Sequence, residues 1–396
     1  MTEQVRRHPM RYMDRILPTA IALFLLTSMI SITASQVFLV LAFAAWVVIL
    51  IKGREAPRFP GFFWPLLAYA GLSLIASALS RNPSGSFQDS RELLLLLVVP
   101  IVFAGITKPE DGKRAGWALL ASALVSIAFS FAYFLFQAAP GERVAGFMDH
   151  YMTQAGLLLL FSALAFSYFL FGTGRIRLIW GGGFALAEVA LVLTLTRNAW
   201  VGIVVVTCLL LALYKPKTLI LLPVAVGLIF LASPPHIKRR ALSIFDTQSY
   251  SNAQRIEYLG AGLKIIRDYP LHGTGPNTVH VVFQQPKYEL SVEARDNVHL
   301  HNNLIQIAAE RGIPTLLAWL VFMGWAFMAL LRLVRERADP LLYVYAAAGL
   351  AVCAGLFAAG FFEYNWGDSE VMTLFLCLIT LPFGLAQGLT TKDSDA

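Results

Sequence analysis

Cysteine and charge are both scarce in this chain. The three cysteines, Cys208, Cys353 and Cys377, all fall inside apolar runs, so no disulfide, thiolate metal site or cysteine nucleophile is expected on an exposed face. Charged residues make up 14% of the 396 and hydrophobic ones 57%, far from the balance of a soluble domain. There is no Walker loop, heptad array, internal repeat or low-complexity tract. The glycines of His272-Gly273-Thr274-Gly275-Pro276 are too few to make a phosphate cradle by themselves.

What is present is a succession of apolar stretches. A spanning helix needs about 20 predominantly apolar residues, and the sequence predicts about twelve such spans: 16–34, 37–51, 61–79, 92–107, 115–138, 152–172, 178–196, 199–214, 218–232, 313–331, 341–362 and 371–388. The expected fold is therefore an all-α integral membrane protein. Its expected parts are an N-terminal membrane bundle over 1–232, a large polar loop over 233–312 and a C-terminal membrane segment over 313–396. With the N-terminus inside, the short inner segments hold eighteen of the Lys and Arg residues, among them Arg6, Arg7, Arg11, Arg54 and Lys392. The short outer ones hold only Arg81, Arg91, Arg143 and Arg197. That bias puts both termini and the basic loops in the cytoplasm and the polar insert outside. The net charge of +7 is then largely topological, and nucleic acid, which would need a basic face on a soluble module, is not an expected partner. The arginines before the first apolar run resemble a signal peptide, but a second span follows at once without a clear cleavage motif, so an uncleaved helix is expected.

Four places carry candidate chemistry. Thr196-Arg197-Asn198-Ala199-Trp200 joins two spans so tightly that Arg197 sits at the edge of the hydrocarbon, where a guanidinium is costly unless an anion pairs with it; the bland reading is snorkelling to lipid phosphates. Residues 252–268 form an amphipathic helix whose stripe of Ile256, Leu259, Leu263 and Ile266 is expected to pack on the bundle, with Arg255 at its border beside Tyr258 and Gly262. Asn302 or Asn303 is a good N-cap for a helix over Leu304–Glu310. This places His301 at a positive dipole end, which favours a neutral, proton-accepting ring. His299 and His301 with Asp296 or His272 make a metal site conceivable, but no acidic cluster completes a shell and none is expected. Arg143, in the outer loop that runs to Asp149 and His150, either adds a cation to the same site or is simply solvated. Glu188, mid-span, reads either as a coupling-ion site or as a structural partner of an Arg or His.

Outside an inner membrane no nucleotide sugar or ATP is at hand, so a transferase there needs a donor already activated in the bilayer, such as a polyprenyl pyrophosphate-linked glycan. Arginines would stabilise the departing pyrophosphate and a neutral histidine would take the acceptor's proton. The arginine after a mid-chain span, the outer loop with Arg255 and then Pro270-Leu-His-Gly273-Thr-Gly275, and His301-Asn302 followed by Leu304, Glu310 and Gly312 together resemble the O-antigen ligase and polymerase superfamily, and most of all its ligases. The resemblance implies a GT-C-like bundle with a large helical periplasmic loop. It implies inverting, metal-independent transfer, without cofactor, of O-antigen from undecaprenyl pyrophosphate to lipid A-core at the periplasmic face of the bacterial inner membrane. Carried over, Arg197 and Arg255 bind pyrophosphate, Arg143 assists, and His301 activates the acceptor hydroxyl. Asn198 departs from the small or hydroxyl residue frequent in relatives. The alternatives are a polymerase or protein oligosaccharyltransferase of the same superfamily, or a secondary transporter with Glu188 as its coupling site, although transporters place their polar groups at the midplane in broken helices.

Overall fold

The computed structural model describes residues 3–53, 56–139 and 141–394, with side chains from 15 to 52, 56 to 139 and 141 to 390. The side chains of Arg6, Arg7, Arg11, Arg54 and Lys392 thus lie outside the described residues. Every regular element among those described is helical. Eight helices are long and apolar enough to cross a membrane: Ile32–Lys52, Pro109–Phe136, Tyr151–Phe171, Ile176–Leu193, Arg197–Tyr214, Ile313–Glu336, Pro340–Ala359 and Ser369–Thr390. Arg15–Thr27, Phe63–Ala78 and Pro216–Ala232 are apolar but shorter. The chain is an all-α membrane protein.

Two of the expected spans are drawn differently. The stretch 92–107 is not one helix but a 3-10 helix, Ser90–Leu97, followed by a short α-helix, Val98–Gly105. Pro100 lies in the first turn of the second piece, where its missing N–H is harmless; carried back as a continuous α-helix, its ring would strike the Leu96 carbonyl. The first expected span runs past a turn at residues 28–31. Thr27 Oγ1 donates to the Leu23 carbonyl (2.8 Å) and Ser28 Oγ to that of Leu25 (2.9 Å), and Ala34 N donates to Ser31 Oγ (3.3 Å) to open the next helix. Hydroxyls clustered in this way offer the backbone local partners in place of the helix ladder, which favours a turn here.

Burial separates the centre of the bundle from its rim. In Tyr151–Phe171 89% of the apolar window is buried, but in Ile32–Lys52 only 22%. Helices apolar all round sit inside, and those at the rim turn residues such as Val40, Leu41, Trp64 and Leu135 outward, the face that lipid would cover. Tyr168 stacks on Trp180 at 4.2 Å, and Tyr345 Oη donates to the Gly112 carbonyl (2.7 Å), knitting the centre together.

The segment between Pro216–Ala232 and Ile313–Glu336 has its own small core of Tyr258, Ala261, Ile265, Val279, Phe283, Leu300 and Ala309. It contains the helix Tyr250–Asp268, and here the expected stripe is reversed. Ile256, Leu259 and Leu263 are exposed, while Tyr258, Ala261, Gly262 and Ile265 are buried. The reason is close approach to the helix Asn303–Arg311: a Cβ on Gly262 would overlap Ile305. Small residues face the neighbour, and the bulky aliphatics turn outward.

Pro270-Leu-His-Gly-Thr-Gly275 is a backbone clasp. Thr274 N donates to the Ala309 carbonyl (2.9 Å), Gly275 N to that of Glu310 (2.8 Å), Ile313 N to that of Pro270 (2.8 Å) and Arg81 N to that of Thr274 (3.0 Å). Gly273 has φ +65°, and a Cβ there would overlap the Glu310 carbonyl. Gly273→Ala should therefore lower stability by more than about 1 kcal/mol, read as a fall in the melting temperature of the detergent-purified protein; an unchanged melting curve would remove the clasp.

Candidate active site

Four connections meet at one end of the bundle. The loop over 137–150 is tied in by Val144 N donating to the Leu193 carbonyl (3.2 Å), and Arg240 Nε donates to the Leu195 carbonyl (3.1 Å) in the joint before Arg197. The link over 360–368 is locked to the helix Asn303–Arg311: Asn303 N donates to the Gly360 carbonyl (2.7 Å), Asn303 Nδ2 to Asn365 Oδ1 (2.7 Å) and Trp366 N to Asn303 Oδ1 (3.1 Å). Asn302 is the cap, its Oδ1 accepting from Leu304 N (2.9 Å) and Ile305 N (3.1 Å). Immediately before it His301 takes a left-handed backbone, φ +50°, uncommon for a residue with a Cβ and a kind of strain that clusters at functional sites.

This lock places Glu363 against His301. Glu363 is buried, and both its oxygens lie 2.9 Å from His301 Nδ1. Arg255 Nη2 is 3.9 Å from Oε2 and His299 Nε2 is 4.0 Å from Oε1. On the far side of the ring, Asn297 Nδ2 lies 2.8 Å from His301 Nε2. The Asn297 amide is oriented by Val298 N, which donates to its Oδ1 (2.8 Å). An N–H aimed at Nε2 makes that nitrogen the acceptor, so Nδ1 carries the proton and donates to Glu363. Burial raises the Glu363 carboxyl, but the hydrogen bond from His301, the charge that His301 and His299 carry when protonated, and Arg255 outweigh it and hold the group down at about 2. Burial pushes His299 down to about 4 against the pull of Glu363, so its ring is neutral at working pH.

Arg197 and Arg255 line one cavity of about 230 Å³ but differ in how they are held. Arg197 spends Nη1 on the Ser243 carbonyl (2.6 Å) and Oγ (3.0 Å), and Nη2 on Ser251 Oγ (2.7 Å) and Asn252 Oδ1 (2.7 Å). Arg255 makes none of these bonds; its Nε is buried without a partner. Arg143 lies over the Tyr151 ring at 4.4 Å. The acidity of Arg255 and Arg240 is increased, chiefly by burial; Arg143 adds to this at both, and Glu363 opposes it at Arg255. Four guanidinium groups thus share one region with one buried carboxylate, a field suited to a polyanion.

The arginine cavity has a neighbour on each side. Val201 and Phe362 also line an apolar groove of about 870 Å³ between Arg197–Tyr214, Ile313–Glu336 and Pro340–Ala359. Through Asn198 it adjoins a polar cavity of about 280 Å³ lined by His150, His299, Glu310, Arg311 and Glu363. His150 caps the helix Tyr151–Phe171, its Nδ1 accepting from Met152 N (3.2 Å).

Among the described residues one group is able to hold a metal ion: His299, His301 and Glu363, with ligand atoms within 4.8 Å of one another. The expected completing residues, Asp296 and His272, are not in it. Arg255 already brings a cation to Glu363, which works against a second one there.

Residues 182–320 match the family model described as O-Antigen ligase. Over that stretch the chain is similar to the O-antigen ligase family. No curated protein matches the chain. The O-antigen ligase family is one of glycosyltransferase-like enzymes acting on lipid-linked O-antigen and lipid acceptors. The matched segment contains Arg197, Arg255 and His301, whereas Arg143 and Glu363 fall outside it. Glu363, Arg240 and Asn297 are the site residues that sequence reasoning passed over. A signal was available for Glu363, a lone carboxylate in Phe361-Phe362-Glu363-Tyr364-Asn365-Trp366 at the mouth of a span. Glu188 drew attention instead. No Arg or His pairs with it among the described residues, and its Oε1 is buried without a partner.

Proposed function

We propose that this protein is the ligase itself: it transfers O-antigen from undecaprenyl pyrophosphate to a hydroxyl of lipid A-core, inverting at C1 and without a metal. The observation that carries the reading is the meeting of Arg255 and His301 on Glu363, 3.9 and 2.9 Å away, with Arg255 lining the arginine cavity and Glu363 the polar one. The groove suits a polyprenyl tail, the arginine cavity its pyrophosphate, and the polar cavity the acceptor. The acceptor hydroxyl gives its proton to His301 Nε2, displacing the Asn297 N–H, which keeps a second partner in Tyr258 Oη (3.1 Å). The oxygen attacks C1 as the C1–O bond to pyrophosphate breaks. Arg255 stabilises the charge that gathers on the leaving group, more in the transition state than before it, and Glu363 stabilises the imidazolium. The proton then passes to the released pyrophosphate or water.

The same reading places the site at the periplasmic face of the inner membrane, both termini in the cytoplasm, and the parts 1–232, 233–312 and 313–396 as a GT-C-like bundle of about twelve crossings around a catalytic loop. A polymerase of the same superfamily would use the same groups on a different acceptor. The test is transfer by purified protein from lipid-linked O-antigen to lipid A-core or to a second lipid-linked repeat, in EDTA. Lipid A-core should be glycosylated, and His301→Ala should cut the rate roughly 10²-fold or more with the melting temperature unchanged. Product only with the second repeat would make the protein a polymerase, and loss of activity in EDTA would restore a metal to His299, His301 and Glu363.

A further inference from the structure

Across Asn198 the sign of the site reverses. On one side stand Arg197 and Arg255. On the other the polar cavity is lined by five carboxylates, Asp89, Glu92, Glu310, Glu363 and Asp368, and one guanidinium, Arg311. Arg311 is shared by Glu310 (2.9 Å) and Asp89 (3.2 Å), and Glu363 serves His301. Glu92 and Asp368 have no cation paired with them among the described residues. An acidic lining alone would say little, but Asn198 adds an independent mark. It is 8% exposed, it lines both cavities, and its amide makes no hydrogen bond among the described residues. No protein group bonds this amide although its residue is nine-tenths buried, and it sits where a bound molecule would cross from one cavity to the other.

We propose that the polar cavity is the acceptor subsite and that it takes a hydroxyl-rich sugar bearing no phosphate or carboxylate at its reacting end. Carboxylate oxygens accept hydrogen bonds from sugar hydroxyls, and Asn198 offers both a donor and an acceptor at the junction with the donor sugar. Burial raises the Asp368 carboxyl to about 6, so part of this lining is already short of compensation for its charge, and an anion brought into the partly desolvated cavity would be repelled further. An anionic acceptor would be drawn instead to the arginines, where the donor pyrophosphate must bind. Opposite fields on the two sides thus sort the two substrates, sending the pyrophosphate to one cavity and the uncharged sugar to the other. This inference rests on the transferase reading above and specifies the acceptor that reading leaves open.

The test uses the full-length protein in detergent with lipid-linked O-antigen as donor. The acceptors are matched pairs: lipid A-core with its terminal sugar unmodified or phosphorylated at the primary hydroxyl, and a second lipid-linked repeat unmodified or phosphorylated likewise. The unmodified member of the pair that serves as acceptor should have a kcat/KM at least about tenfold higher, the size of a single modest electrostatic penalty. Glu92→Gln with Asp368→Asn should narrow that ratio by raising use of the phosphorylated form. Equal or better use of the phosphorylated form by the unaltered protein would overturn the acceptor inference and leave the transferase intact. Absence of transfer to all four would overturn both.

Discussion

Glu363→Gln should lower kcat by roughly 10²- to 10⁴-fold, the range seen when the orienting carboxylate of a histidine base becomes an amide or when proton transfer is lost, with KM for the lipid-linked donor little changed. Gln keeps the shape, so the link over 360–368 stays locked by Asn303. It loses the charge that faces the His301 Nδ1 proton, the His299 ring and Arg255. An imidazolium formed when the acceptor hydroxyl is deprotonated would have no counter-charge, and Arg255 would have no carboxylate to hold it. The pH profile separates this role from that of Glu363 as the base. Its carboxyl is held at about 2, below its ordinary value, so it is ionised throughout the working range and deprotonates only as pH rises from strongly acid values. The defect in the variant should accordingly be flat from about pH 5 to 9, because neither form titrates there. Activity within threefold of the unaltered protein, or a defect confined to one limb of the profile, would remove Glu363 from the site.

That residue also marks the boundary of what the chain discloses when read alone. Eight of the twelve expected spans were legible, because hydropathy sums over a window and a lipid-facing helix needs nothing finer. The break before Pro100 was not, since the window average is blind to one missing N–H. Cap chemistry is local, so the helix start could be placed at Asn302 or Asn303 from neighbouring residues, and Asn302 is the cap. The pairing of His301 with Glu363 is not local: 62 positions separate them, and the Asn303 lock on Gly360 and Asn365, with Asn302 bonded to the Phe361 carbonyl, brings them together. The outward face of Tyr250–Asp268 misled for a related reason. Periodicity identifies a stripe of large aliphatics, but which face is buried was decided by the helix Asn303–Arg311 pressing against Gly262, a tertiary fact without a signature in the helix itself. Arg197 and Arg255 read alike in the sequence, each an arginine near the membrane surface. Their hydrogen bonds make them different.

That difference predicts two distinct failures. Arg197→Ala removes four hydrogen bonds that bind the start of the helix Arg197–Tyr214 to Ser243, Ser251 and Asn252. Bonds to a charged group contribute about 1.5–3 kcal/mol each and are not additive, so a loss of about 3–5 kcal/mol is expected, as for breaking a buried charged network. The melting temperature should fall, protease should reach the segment after Ala232, and transfer should be lost through misplacement of Arg255 and Glu363. Arg255→Ala removes a 3.9 Å ion pair with Glu363, which keeps His301, and no hydrogen bond, so the melting curve should move far less than for Arg197→Ala while kcat falls roughly 10²- to 10³-fold, the cost of one transition-state donor. Lysine divides the two again. At 255 a point charge beside a pyrophosphate should recover part of the rate. At 197 a single ammonium cannot span Ser243 on one side and Asn252 on the other, and should recover little. If Arg197→Ala melts like the unaltered protein yet is inactive, its guanidinium meets the substrate directly and the two arginines act as a pair. If Arg255→Ala transfers normally, no arginine at this site stabilises the leaving group, and the chemistry must be sought elsewhere in the fold.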